Sequence, residues 1–204
     1  LLFAGDAARG LGFVDVCSQT YDFILMNPPF GDATGGVKSA AGPGLKASGN
    51  DIGAAFVLEA SELLAPSGSI GCLLSTGPWF KPTFERWREN LFLGKRTSLR
   101  VAAHLAGEVL DGATVSASPF VLFGDDRASF TAIRLTRVED LEAQLPATIA
   151  SFRSGVTNEL VFTGTPAEAA FLPGRPFCYW VSSSLRSRLL SLPKFEGTGG
   201  EVRP

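Results

Sequence analysis

Short apolar runs closed by Gly, Pro or Asn punctuate the first half of the chain, and between two of them apolar positions recur at helical spacing. Residues 1–4 end at Gly5-Asp6, and residues 20–26 (Thr-Tyr-Asp-Phe-Ile-Leu-Met) end at Asn-Pro-Pro; both runs suit buried parallel strands. Asn50 or Asp51 can cap a helix running to Leu64, with Ala55, Leu58 and Leu63 on its apolar face and Ala-Pro-Ser-Gly as its stop. Residues 69–75 predict another buried strand, so strand, helix and strand follow in the order a parallel crossover needs. A helix over 83–92 then leads into strands over 99–105 and 116–123, which read as an antiparallel hairpin. A strand over 129–138 and a helix over 139–153 follow. From Val156 onward Pro and Gly rise and periodicity weakens, which divides the chain into 1–155 and 156–204, the latter a linker or the start of a target-recognition region. The segment 30–50, rich in Gly and Ala and carrying Lys38 and Lys46, reads as a mobile loop over a site.

Composition narrows the class. With 204 residues, 45% of them hydrophobic, the chain can bury one sizeable core. A formal net charge of −2 advertises no general polyanion-binding surface, so any grip on nucleic acid must be local. Cys17, Cys72 and Cys178 are too far apart for a disulfide framework or a paired zinc site; no metal is expected, and a reducing cytoplasm is the simplest setting. No apolar run has bilayer-spanning length and no basic leader opens the chain, so no membrane is expected among its partners. The start without Met and the end at Gly-Gly-Glu-Val-Arg-Pro read as a piece cut at both ends.

Asn27-Pro28-Pro29-Phe30 carries the sharpest chemistry, because a strand delivers it to the carboxyl edge of a parallel sheet, where such folds place ligands. An exocyclic amine on an aromatic ring is a poor nucleophile, its lone pair being delocalised into the ring. The side-chain oxygen of Asn27 and the main-chain carbonyl of Pro28 can each accept one amine hydrogen, directing the lone pair at an incoming methyl group. The prolines fix the backbone that presents these acceptors. Phe30 offers a flat face to a base swung out of a duplex.

The tetrapeptide after a hydrophobic strand resembles the signature of amino methyltransferases, with Asn in first place as in the N6-adenine-specific DNA methyltransferases of restriction-modification and phage-defence systems. Residues 50–75 and the hairpin from His104 to Phe123 are similar to the helix, strand and hairpin that follow the motif in that family, and Gly5-Asp6-Ala7 to its acidic turn. The resemblance covers about 3–123. It implies an α/β, doubly wound, Rossmann-like methyltransferase fold with the usual strand order 3-2-1-4-5-7-6, here incomplete, followed by hairpin strands and the start of a second module. It implies S-adenosyl-L-methionine as cofactor, with Asp6 and Ala7 at its adenine and Asn27 near the transferred methyl. It also implies double-stranded DNA with a flipped adenine as substrate, met by Phe30 and Leu110, and specificity or nuclease subunits as further partners. The family's F-x-G-x-G loop belongs before residue 1, so the piece alone is expected to bind cofactor poorly and not to methylate. Leu110 stands where relatives often have an aromatic, leaving Phe120 or Trp79 to compensate. Rival readings are a methyltransferase acting on a protein glutamine or on RNA, and a noncatalytic nucleic-acid- or partner-binding remnant.

Other features read as structural. Residues 5–10 (Gly-Asp-Ala-Ala-Arg-Gly) lack the spacing of a phosphate loop. Arg86, Arg88, Lys95, Arg96 and Arg100 read as a solvated face, His104 as a packed side chain, Asp22 as a local polar contact and 177–181 as core.

Overall fold

The computed structural model describes residues 14–35, 43–94, 96–105, 116–127 and 129–192. Strands β1 (Tyr21–Met26), β2 (Leu64–Ser75), β3 (Ser98–Leu105), β4 (Ala117–Phe123), β5 (Phe130–Leu135) and β6 (Val161–Gly164) form one six-stranded sheet in the order β1-β2-β4-β3-β5-β6. β1 and β3 pair in parallel with β2 and β5 respectively, while β4 runs antiparallel between β2 and β3 and β6 antiparallel to β5. β1, β2, β3 and β5 therefore end at one edge. The stretch β1-β2-β4-β3 lays out the 4-5-7-6 half of the order that the resemblance implied. The first expected strand, at 1–4, and the cofactor turn at Asp6-Ala7 lie outside the described residues, as does Leu110.

Helices among the described residues include α1 (Pro43–Ala47), α2 (Ile52–Glu62), α3 (Gly77–Phe80), α4 (Glu85–Phe92), α5 (Leu141–Arg153), α6 (Pro166–Ala169) and α7 (Ser183–Ser191). α2 begins where Asp51 accepts a hydrogen bond from the Ala54 amide at 2.8 Å and buries Ala54, Val57 and Leu58. The segment 30–50 is more than a loop: Leu45 and Ser48 are buried, and the Ser48 hydroxyl donates to the Leu45 carbonyl at 2.7 Å. Burial of one apolar side chain and a satisfied hydroxyl hold the helical turn that a Gly-rich sequence disguises.

One face of the sheet carries the main core, in which Ile70, Leu74, Trp79, Trp87, Leu99 and Phe120 pack together. The other face is covered by α5 only at its far side, where Leu141 and Leu145 meet Ile133 and Leu135. Nothing among the described residues covers that face over β1, so its alternate side chains Phe23 and Leu25 are 83% and 90% exposed. Among the described residues β1 is parallel and lies at the edge of the sheet, with Ile24 and Met26 packed against the main core and the buried neighbourhood expected for it not seen on its other face.

The composition change at Val156 coincides with no break in sheet or core. β6 extends the sheet, and Ala169, Phe177 and Tyr179 belong to the main cluster. Arg88 fastens this return. It is fully buried and donates to the carbonyls of Pro78 (2.5 Å), Lys81 (3.0 Å), Gly174 (2.6 Å) and Arg175 (2.6 Å). Burial lowers its pKa to about 10, which leaves it charged at neutral pH.

Candidate active site at the carboxyl edge of the sheet

β1 delivers Asn27 to the edge where β2, β3 and β5 also end. Asn27 and Pro29 are exposed, Pro28 is buried, and Phe30 is half-buried against the main core. Among the described residues neither the Asn27 side chain nor the Pro28 carbonyl takes part in a hydrogen bond. An exposed amide with unspent acceptors, on a backbone stiffened by two prolines, is available to a ligand.

The chain behind the tetrapeptide is fixed by backbone pairing. Gly31 turns at φ 120°, its carbonyl accepts from the Ile52 amide at 2.9 Å, and the Ala33 amide donates to the Asn50 carbonyl at 2.8 Å around an Asp32–Asp51 bridge. The start of α2 is thereby stitched to the motif. A side chain at Gly53 would come within 2.7 Å of Leu74 Cδ1 and 3.0 Å of the Pro29 carbonyl, so only glycine lets the helix pass this closely. Asp51 sits in the stitch, its carboxyl pKa raised first by burial and further by Asp32. Sequence reading named Asp51 as a cap but missed Gly53, although a glycine in the first helical turn is a recognisable sign of close packing.

Beside Asn27 a trough of about 870 Å³ runs over the open sheet face, lined by Leu25, Leu73, Val101, Pro119, Val121 and Phe152. Among the described residues no carboxylate lines it, and its polar side chains are Asn27 and Thr131. Of the residues expected at S-adenosylmethionine, Asn27 stands at this edge, while Asp6 and Ala7 lie outside the described residues.

Further along the edge stands an aromatic node. Trp79 is wholly buried, its ring 4.8 Å from His104 and 5.4 Å from Phe120. His104 Nδ1 is 2.5 Å from the Tyr179 hydroxyl, and burial drives the His104 pKa down to about 3, with Arg134 adding to the effect. The packed role read for His104 and the core role read for Phe177 and Tyr179 are therefore borne out. Trp79 and Phe120, considered as stand-ins for a base-stacking aromatic, are core residues and cannot leave without opening it. The basic stretch is not one solvated face: Arg88 is buried, Arg100 pairs with Asp125, Arg96 with Glu62, and Arg86 is exposed, while Lys95 lies outside the described residues. Asp22 is exposed and its side chain meets no polar partner among the described residues. Among the described residues no cluster suits a metal ion, and no helix is long and apolar enough to cross a membrane.

No family model and no curated protein matches the sequence. Solved structures do match the fold. A modification subunit of a putative type I restriction enzyme from Vibrio vulnificus YJ016 superposes with a TM-score of 0.63 at 13% identity, over 85% of this chain and 40% of that one. The fold is that of the S-adenosylmethionine-dependent methyltransferases. A type I restriction-modification methyltransferase subunit from Streptococcus thermophilus matches this methyltransferase fold at TM-score 0.56 and 14% identity, over 79% of this chain and 38% of the other. A putative class I S-adenosylmethionine-dependent methyltransferase from Listeria monocytogenes matches at 0.50 and 14%, over 68% and 44%. The chain spans about two fifths of the length of these methyltransferase-fold neighbours.

Proposed function

We propose that the chain is the amine-orienting part of a DNA methyltransferase of the restriction-modification kind, acting on the N6 amino group of adenine in DNA. The observation that carries this reading is the free pair of acceptors at Asn27 and Pro28, held at the carboxyl edge by the stitch between 31–33 and 50–52. Asn27 Oδ1 and the Pro28 carbonyl each take one hydrogen of the target amine, and the exposed part of Phe30 stacks on the flipped base. Orientation of this kind acts in the transition state, because the lone pair is needed only as the new bond forms. S-adenosylmethionine, when bound, supplies a methyl on a sulfonium; the nitrogen–carbon bond forms as the sulfur–carbon bond breaks, and the surplus amine proton leaves to water. No general base is required of the chain. The likeness to modification subunits supports double-stranded DNA as substrate and specificity or nuclease subunits as partners.

The test is transfer of labelled methyl to unmethylated DNA by the full-length protein and by its Asn27→Ala variant. Label in N6-methyladenine, lost in the variant, is the expected result. Label in RNA or on a protein glutamine would replace the substrate, and no label under any condition would leave a noncatalytic binding protein.

A further inference from the structure

Among the described residues, Lys46, Lys81, Arg86, Arg153 and Arg188 are exposed cations without an ion pair, and most of the other arginines are spent in two ways. Arg96, Arg100, Arg127, Arg175 and Arg186 are paired with carboxylates, and Arg88 is spent on carbonyls. Arg134 differs from both. It is half-buried, and among the described residues its guanidinium has neither an ion pair nor a hydrogen bond. Its guanidinium carbon lies 4.2 Å from the centre of the Trp180 ring. Such stacking compensates part of the lost hydration while leaving the in-plane N–H donors free. Burial lowers the pKa of His104 and raises those of Cys178 and Tyr179, and the charge of Arg134 adds to the first shift and opposes the other two.

Arg134 opens into a pocket of about 370 Å³ that it shares with Thr136, Arg137, Glu159, Phe162 and Trp180. Arg137 is exposed and likewise without an ion pair among the described residues. Two free guanidinium groups, a hydroxyl and an aromatic face are the chemistry of a phosphodiester contact. Glu159 is the one group in the pocket that opposes an anion.

Topology places this pocket relative to the reaction. Arg134 is the next-to-last residue of β5, which runs parallel to β1, so the arginines stand at the same sheet edge as Asn27. The order β1-β2-β4-β3-β5 separates them by four strand spacings, roughly 19 Å at about 4.8 Å each. A duplex lying along the edge covers that distance in about five to six base pairs at roughly 3.4 Å per pair.

We propose that Arg134 and Arg137, with Trp180 supporting the first, grip the DNA backbone about half a helical turn from the target base. The proposal rests on the DNA-methyltransferase reading for its ligand. It assigns to these residues binding and positioning of the duplex, with no part in the chemical step.

The experiment is binding of a fluorescently labelled DNA duplex to the full-length protein between about 50 and 200 mM salt, followed by anisotropy. Two lost phosphate contacts reduce the slope of log K against log salt by roughly 1.8. Over that fourfold range the wild type should therefore lose roughly twelvefold more affinity than the Arg134→Ala/Arg137→Ala variant. Arg134→Lys/Arg137→Lys keeps the charges and should retain the wild-type slope, which separates a phosphate contact from damage to the fold. Wild-type slope and affinity in the alanine variant, with unchanged thermal unfolding, would overturn the proposal. So would a wild type that does not bind the duplex. Methyl transfer assayed alongside keeps the two readings apart: a wild type with the expected salt behaviour but no transfer removes the reaction and leaves the contact. Transfer with an unaltered slope in the alanine variant does the reverse.

Discussion

The Asn27 segment and the node around Trp79 occupy the same edge of one sheet, and they treat their polar atoms in opposite ways. At Asn27 the side-chain amide is exposed and unspent while the backbone behind it is fastened on both sides. At the node His104 is hydrogen-bonded to Tyr179, Trp79 is sealed among rings, and Phe177 closes the packing through a 2.9 Å bond from its amide to the Trp79 carbonyl. The first arrangement leaves interaction energy to a ligand; the second spends it on the fold. Substitutions at the two places should therefore separate activity from stability.

The largest effect expected is on the stability side. Phe177→Ala removes a ring that touches Trp79, Phe92 and Phe130, and should cost about 3 to 5 kcal/mol of unfolding free energy, measured by urea denaturation. A cost below about 1 kcal/mol would mean that the segment after Val156 is not part of the core. Next comes Asn27→Ala. Removing a preorganised acceptor should lower the rate of methyl transfer by about 100- to 1000-fold, or roughly 3 to 4 kcal/mol, with an unchanged melting temperature. Equal losses of stability at both positions would erase the contrast between them.

Acid should weaken the node through His104. The folded pKa of His104 is held near 3 against an ordinary value of 6.5, so the unfolded chain takes up the proton first. The contribution is fully present above about pH 6.5 and declines as pH falls toward 3. Between pH 7 and pH 5 the loss is about 2 kcal/mol, and His104→Phe should remove that part of the pH dependence. A variant with the wild-type slope would shift the cause to the carboxylates.

How much of this was legible in the sequence follows from the range of the forces involved. The strands over 21–26, 69–75, 99–105 and 117–123 and the cap at Asp51 are written in local apolar runs and turn residues, and Asn27-Pro28-Pro29-Phe30 is a contiguous motif. Which face of β1 is covered depends on what packs over it, so the exposure of Phe23 and Leu25 has no local sign. Likewise Arg88 reads as one more charge on a helix, and only the return of 174–175 turns it into a buried clasp. The turn at 43–47 was missed because its glycine-rich surroundings outweigh Leu45, whose burial is a tertiary fact.

The smallest effect sits between the two regions, at Asp51, where a structural contact supports the reactive segment. Its carboxylate caps α2 through the Ala54 amide, yet burial and the neighbouring Asp32 raise its pKa, so the negative charge is held at a cost. The sign for an acid with a raised folded pKa is that stability declines as pH rises from the unfolded value through the folded one. Asn at this position keeps the acceptor and discards the charge. Asp51→Ala should therefore cost about 1 kcal/mol, whereas Asp51→Asn should be neutral or stabilising at pH 7, both read from thermal unfolding. If Asp51→Ala also lowers methyl transfer while Asp51→Asn does not, the cap is holding the stitch behind Asn27 as well as the helix. If neither variant changes transfer, the backbone bonds between 31–33 and 50–52 suffice to position the tetrapeptide, and the cap serves α2 alone.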